Sequence, residues 1–201
     1  MKAVGIFFVG LIVLGVILLV AGVGVYNGQI GANNNVDKAA GDIDADLNRR
    51  FDLIPNLVKA TQGYMKFEKQ LFTEVAEARS RIGQTNISLK DANLDPKVLA
   101  QFMANQDQLS GALSKLVVAV EKYPEAKADK TVIQLMDELS GTENRINVSR
   151  KRYNEAVLDL NNRVTKFPGS LVAGWSGVKP RQMFEASQAA RTTVPTVDLS
   201  L

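Results

Sequence analysis

Between Lys2 and Asp37 the chain carries no charged residue, and Ala3 to Val25 is almost wholly apolar. An α-helix rises about 1.5 Å per residue, so roughly 20 residues cross a hydrocarbon core of about 30 Å, a length that Val4 to Val25 supplies. The stretch therefore predicts a transmembrane helix, with everything downstream forming a tethered polar domain. A cleaved signal peptide is the competing reading, because Val20, Ala21 and Gly22 make a faint cleavage pattern. The apolar run is longer than the about 7 to 15 residues of a signal core and its charged leader is a lone Lys2, which favours a retained anchor. Lys2 on one side and the uncharged Gln29 to Val36 on the other place the domain outward by the positive-inside rule. Gly24 and Gly28 form a small-xxx-small pair through which two anchors can approach closely.

The chemistry open to the domain is narrow. The chain has 24 basic and 21 acidic residues, and setting Lys2 aside leaves an excess of only +2, which does not argue for nucleic acid as a partner. Cysteine and histidine are both absent. A disulfide framework, a thiolate or imidazole metal site and a nucleophile activated by histidine are all excluded, as is a di-iron bundle site built on Glu-x-x-His. Asp42, Asp44 and Asp46 alternate as in a calcium loop, but Leu47 stands where such a loop needs glycine. No cofactor and no catalytic residue is expected.

Beyond the anchor the apolar spacing is helical and no segment alternates as a strand does. Ile43, Leu47, Phe51, Ile54, Leu57 and Val58 recur at three and four, the stripe of a helix that buries one face. Pro55 falls inside that pattern and removes a backbone donor, which predicts either a kink or the end of one helix and the start of another, with the kink favoured. The stripe resumes through Leu71, Phe72, Val75, Ala78 and Ile82, and Gln84 to Asn93 reads as a loop. Asp95 followed by Pro96 is a helix start, and the helix it opens uses Val98, Phe102, Leu109, Leu113, Leu116, Val117 and Val120 before stopping near Tyr123 and Pro124. A longer element runs from near Asp129 to Phe167-Pro168-Gly169, with Leu135, Leu139, Ile146, Tyr153, Val157, Leu160 and Val164 in a spacing close to the heptads of a coiled coil. At roughly 50 Å it should pair along its length with the first long helix. Leu171, Val172, Trp175, Met183 and Phe184 are apolar enough to pack back on the bundle, and Trp175 can either seat the tail there or touch the membrane interface. The expected fold is all-α, an N-terminal transmembrane helix continuing into an elongated antiparallel bundle of three to four long helices. Its domains are an anchor (1–26), a bundle (27–187) and a flexible tail (188–201).

Two polar clusters interrupt the apolar stripes. One is Arg49-Arg50-Phe51-Asp52-Leu53-Ile54-Pro55-Asn56-Leu57-Val58. The other is Thr142-Glu143-Asn144-Arg145-Ile146, followed by Arg150, Tyr153 and Asn154, in which Glu143, Arg150 and Asn154 share about one helical face. These two segments, in this order behind an N-terminal apolar helix, resemble the LemA family over roughly residues 25 to 185. The resemblance implies a membrane-anchored helical bundle of poorly defined activity. It also implies company with membrane proteases and small domains of phosphatase type, and, in one branch, a part in forming magnetosome membranes.

The residues themselves support two readings of the clusters. Arg50, Asp52, Glu143 and Arg150 can meet between helices as a charge network that fixes register, or some of them can face outward as a docking surface. The reading that follows is a non-enzymatic, single-pass protein of the bacterial cell membrane, a scaffold that homo-oligomerises or organises proteins at the bilayer. An adaptor subunit of a membrane protease or signalling complex is the alternative. The two differ in whether the chain assembles on its own.

Overall fold

A computed structural model of the chain describes residues 2–84, 89–90 and 95–184. Among them are six helices and no strand: α1 (Lys2–Gln62), α2 (Lys69–Gln84), α3 (Pro96–Val120), α4 (Pro124–Ala128), α5 (Lys130–Thr165) and α6 (Gly169–Ser176). Most of the expected loop between Gln84 and Asn93, and all of the tail 188–201, lie outside the described residues.

Helix α1 is long and apolar enough to cross a membrane, with a mean hydropathy of 3.1 over its most apolar window. Every large apolar side chain from Ile6 to Val20 is exposed. Apolar side chains in water carry a cost proportional to their area, so this stretch needs a cover that the described residues do not provide. The helix does not end where the apolar run ends. It continues through Pro55 to Gln62 and stops before Gly63.

The chain divides into two compact units, the first drawn from Met1–Asp44, Leu89–Asn93 and Val148–Gln182. Its core takes Ala32, Val36, Ala39, Ala40 and Ile43 from α1 and Tyr153, Val157, Leu160 and Val164 from α5. Both sets recur at spacings of three and four, the period of facing helical stripes. Gly169, the first residue of α6, is a place where only glycine fits, because a Cβ there would lie 1.7 Å from the carbonyl oxygen of Arg163. At the other end of α6, Gly177 adopts φ +68° and its N–H closes on the Ala173 carbonyl at 3.2 Å, a left-handed C-terminal cap that glycine takes without strain.

The second unit is drawn from Ala45–Ser88, Leu94–Asn147 and Met183–Leu201. Its apolar core joins Ile54 and Leu57 of α1, Phe72, Val75 and Ala78 of α2, Leu109, Leu113 and Leu116 of α3, and Val132 and Leu139 of α5. Met65, in the turn after α1, is fully buried among them. The start of α3 is the one the sequence predicts: Asp95 accepts the Lys97 N–H at 2.8 Å and Pro96 occupies the first turn, where its missing N–H costs nothing. Helix α3 ends at Val120, short of the expected Tyr123, and Pro124 opens the short α4 instead.

Two expectations about packing, for Val98 and Leu171, are overturned, and of the two places open to Trp175 the bundle is not the one it takes. Val98 is exposed and Leu99 takes its place in the α3 stripe. Leu171 and Trp175 do not pack back on the helices, for they are 69% and 90% exposed. Helix α6 docks through its glycine and its polar ends, which turns these two side chains away from the unit that holds it.

Candidate functional site

The polar clusters read from the sequence sort by what the fold asks of them. Arg50, on the face of α1 that also presents Ile54 and Leu57, is almost completely buried. Its Nη1 donates to Glu143 Oε2 of α5 at 2.7 Å and to Ser110 Oγ of α3 at 2.9 Å, while Nη2 donates to Gln106 Oε1. Ser110 Oγ in turn donates to Glu143 Oε1 at 3.1 Å, so both carboxylate oxygens are held and three helices close on one guanidinium. A buried cation is tolerated only where partners replace its water, and here a carboxylate, a hydroxyl and an amide do so.

Around this centre lie looser pairs. Arg49 reaches Glu138 at 3.2 Å, and Arg145 stands 3.6 Å from Asp46 while donating to Thr142 Oγ1 at 2.7 Å. Both arginines are about half exposed, so these pairs contribute little beyond orientation. In this unit rising positions on α1 meet falling positions on α5, the register of antiparallel neighbours. Asp52, Pro55, Asn56 and Asn144 are exposed.

Pro55 explains a further contact. Its ring nitrogen carries no hydrogen, so the carbonyl of Phe51, four residues earlier, loses its helical donor. Arg79 of α2 replaces it, for Nε donates to the Phe51 carbonyl at 3.3 Å while the guanidinium lies 3.8 Å from the centre of the Phe51 ring. The helix passes through its proline because a neighbouring helix returns the missing hydrogen bond.

Two titrating pairs close the turns of the same unit. Tyr64 Oη donates to Asp129 Oδ2 at 3.0 Å, and Asp129 also accepts the N–H groups of Thr131 and Val132 at the start of α5. The Val132 N–H and then the Tyr64 hydroxyl hold the Asp129 carboxyl below its usual range, and the same carboxylate pushes the Tyr64 phenol up. Burial, then its hydrogen bond to Glu68, raises the Tyr123 phenol.

The remaining sequence candidates belong to the first unit. Tyr153 is buried and its hydroxyl donates to the Gln182 carbonyl at 3.3 Å, with burial raising its phenol. Arg150 and Asn154 are half-buried on α5. Asp44 is partly desolvated, which raises its carboxyl against the lowering effects of the Leu89 N–H and Lys90. Gly24 is exposed, whereas the bare face of Gly28 looks onto Arg163 of the same chain, whose Nη1 lies 3.3 Å from where a Cβ would be.

Two polar anchors of this unit escape the sequence reading. Gln29, fully buried, donates from Nε2 to the carbonyls of Gly169 (2.8 Å) and Arg163 (3.1 Å), and its Oε1 accepts from Ser176 Oγ at 2.8 Å. Arg181, also buried, stands 2.7 Å from Asp37 Oδ1 and donates to Asn33 Oδ1 at 2.8 Å. Its backbone N–H and carbonyl are both taken by the Asn161 amide. Gln106 and Ser110 are equally silent in the sequence, although a glutamine one turn from Phe102 inside an apolar stripe is the kind of signal that marks a buried polar partner.

Among the described residues no group of three or more acidic side chains is placed to hold a metal ion. The polar contacts described above neutralise buried charge, return a hydrogen bond to the helix at Pro55 and fasten α6. A family model described as the LemA family matches residues 39–199. The chain is 25% identical over 177 residues to a protein named LemA from Metamycoplasma hominis, covering 88% of this chain and 76% of that one. It is 26% identical over 189 residues to Magnetosome protein MamQ 2 of Paramagnetospirillum magneticum, covering 87% and 70%. To Magnetosome protein MamQ of Magnetospirillum gryphiswaldense it is 25% identical over 186 residues, covering 85% and 68%.

Proposed function

The chain belongs to the LemA family, and from that premise we propose that it is a single-pass scaffold of the bacterial cell membrane, whose helical domain associates with copies of itself or gathers other proteins at the bilayer. The observation that carries this reading is α1: its exposed apolar stretch, long enough to cross a hydrocarbon core, continues without a break into helix that is buried against the rest of its unit. Held in two dimensions by such an anchor, weak lateral contacts add to stable assembly without any single strong interface. The buried charges are consumed inside the fold, which favours a structural role over turnover, and the reading assigns no catalytic residue. On this reading the domain lies on the outer side, opposite Lys2, as the positive-inside rule favours.

The relatives named MamQ are named as magnetosome proteins, and that kinship favours a role in organising a membrane. A second reading rests on a different observation. Asp52, Pro55 and Asn56 are signature residues that lie exposed on α1, which suits a one-to-one adaptor for another membrane protein, a protease among them. The experiment that separates the two is the mass and shape of the full-length protein in mild detergent, by light scattering and particle imaging. A large, regular homo-oligomer supports the scaffold. A monomer or dimer overturns it and leaves the adaptor.

A further inference from the structure

Among the described residues, the apolar side chains on one face of helix α6 have no cover. Leu171 and Trp175, four residues apart and so on one face, are 69% and 90% exposed, and Phe167 just before the helix is 80% exposed. Three large apolar groups this bare on one short segment call for a cover.

The place of that segment along α1 says what the cover is. Counting about 1.5 Å per residue, the apolar run from Gly5 exhausts a hydrocarbon thickness of about 30 Å near Val25. Phe167 and Gly169 line a shallow cleft against Ala21, Gly24, Val25 and Gly28 of α1, which straddle that point. Gln29 then fastens both ends of α6, through the Gly169 carbonyl at one and the Ser176 hydroxyl at the other. Tyr26, on α1 at the same level, is exposed as well. Lys166 and Lys179 flank the segment and are solvent-exposed, where their ammonium groups can meet lipid phosphates. An indole, a phenol and flanking lysines at the edge of an apolar span are the groups that settle in the headgroup layer of a bilayer.

We propose that Phe167, Leu171 and Trp175 form a second membrane contact, with α6 lying in the headgroup layer of the same bilayer that α1 crosses. The inference rests on the reading of α1 as a transmembrane anchor and adds to it: the membrane holds the first unit at two points and so limits its rotation about the anchor axis. The docked surface is lipid, and the geometry gives it a depth, level with Val25 and Tyr26 rather than with the middle of the span.

Trp175 is the sole tryptophan of the chain, so it reports its own surroundings. Full-length protein is reconstituted into phosphatidylcholine and phosphatidylglycerol vesicles carrying bromine either high or deep in the acyl chains. Emission and quenching of Trp175 are then read alongside quenching by aqueous iodide. The expected result is blue-shifted emission that loses about half its intensity to the shallow bromines, less to the deep ones and little to iodide. A companion protein with Trp175→Phe and Leu14→Trp reports on the anchor and should be quenched most by the deep bromines. If the anchor reporter is quenched and Trp175 answers only to iodide, this inference falls and the anchor stands. If neither is quenched by lipid, both fall. Blue-shifted Trp175 emission untouched by either bromine puts protein rather than lipid over α6 and also overturns the proposal.

Discussion

Replacing Arg79 by methionine should be costly only while Pro55 is present. Methionine keeps the apolar stem and removes both the donor to the Phe51 carbonyl and the charge above the Phe51 ring. A hydrogen bond from a charged group contributes about 1.5–3 kcal/mol and a partly exposed cation–π contact about 0.5–1 kcal/mol. At 3.3 Å the hydrogen bond belongs at the low end of its range, so Arg79→Met costs about 2 kcal/mol in the natural protein. In a Pro55→Ala background the new alanine N–H reaches the same carbonyl within the helix. Only the ring contact is then lost, about 0.5–1 kcal/mol, leaving a coupling near 1.5 kcal/mol. For a chain of this size 1 kcal/mol moves Tm by about 2–4 °C, so the same substitution lowers Tm by about 4–8 °C beside proline and about 1–4 °C beside alanine. Thermal unfolding of the four full-length proteins in one detergent, followed by helical circular dichroism, measures this. Equal losses in the two backgrounds would show that Arg79 does not stand in for the missing amide.

Glu143→Met leaves the Arg50 guanidinium buried without its counter-charge. Because the Glu143 side chain is 38% exposed, the cost should be about 2–3 kcal/mol rather than that of a fully buried pair, and under about 1 kcal/mol in an Arg50→Met background, again by denaturation of the four proteins. Gly169→Ala drives a Cβ into the Arg163 carbonyl and should cost about 3 kcal/mol and expose the Lys166 region to protease. The neighbouring Gly174→Ala meets nothing within 4 Å and should leave stability unchanged or raise it by about 0.5–1 kcal/mol, the gain of a better helix former. Asp129 has a folded-state pKa held below its ordinary 3.8, so its contribution is present above that value and is lost as pH falls through the lower folded value. Denaturation midpoints of natural protein and Asp129→Asn should therefore differ at neutral pH and converge in strong acid, and a gap that persists there refutes the assignment.

The apolar stripes were legible because period is a property of the chain alone. Ile43, Leu47, Ile54 and Leu57 are buried at the spacing that predicts it, and Asp95 with Pro96 opens α3 through a contact two residues long. The partners of the polar residues were less legible, since they are tertiary facts. Arg50 is conspicuous in an apolar stripe, but nothing in the chain says that Gln106 and Ser110 lie 56 and 60 residues away in register with it. Pro55 announces an unpaired carbonyl without naming Arg79 as its donor. The burial expected of Leu171 failed for a different reason, and Trp175, with two places open to it, was undecided for the same one. Apolar content tells that a side chain seeks cover, and only the placement of α6 beside Gln29 tells which cover is within reach.

Helix α1 is unbroken from the apolar run to Gln29. Each residue of an α-helix advances the axis by about 1.5 Å and turns it by about 100°. The cleft at Gly28 and the hydrogen bonds of Gln29 thus set the azimuth at which the span presents each of its sides to the lipid, as a keyway sets a shaft. Exchanging one apolar residue for another between Val13 and Val23 leaves that phase untouched. Deleting a single residue there swings every side chain on its N-terminal side by more than a quarter turn, whatever its hydropathy, so spacing in this segment carries information that composition does not.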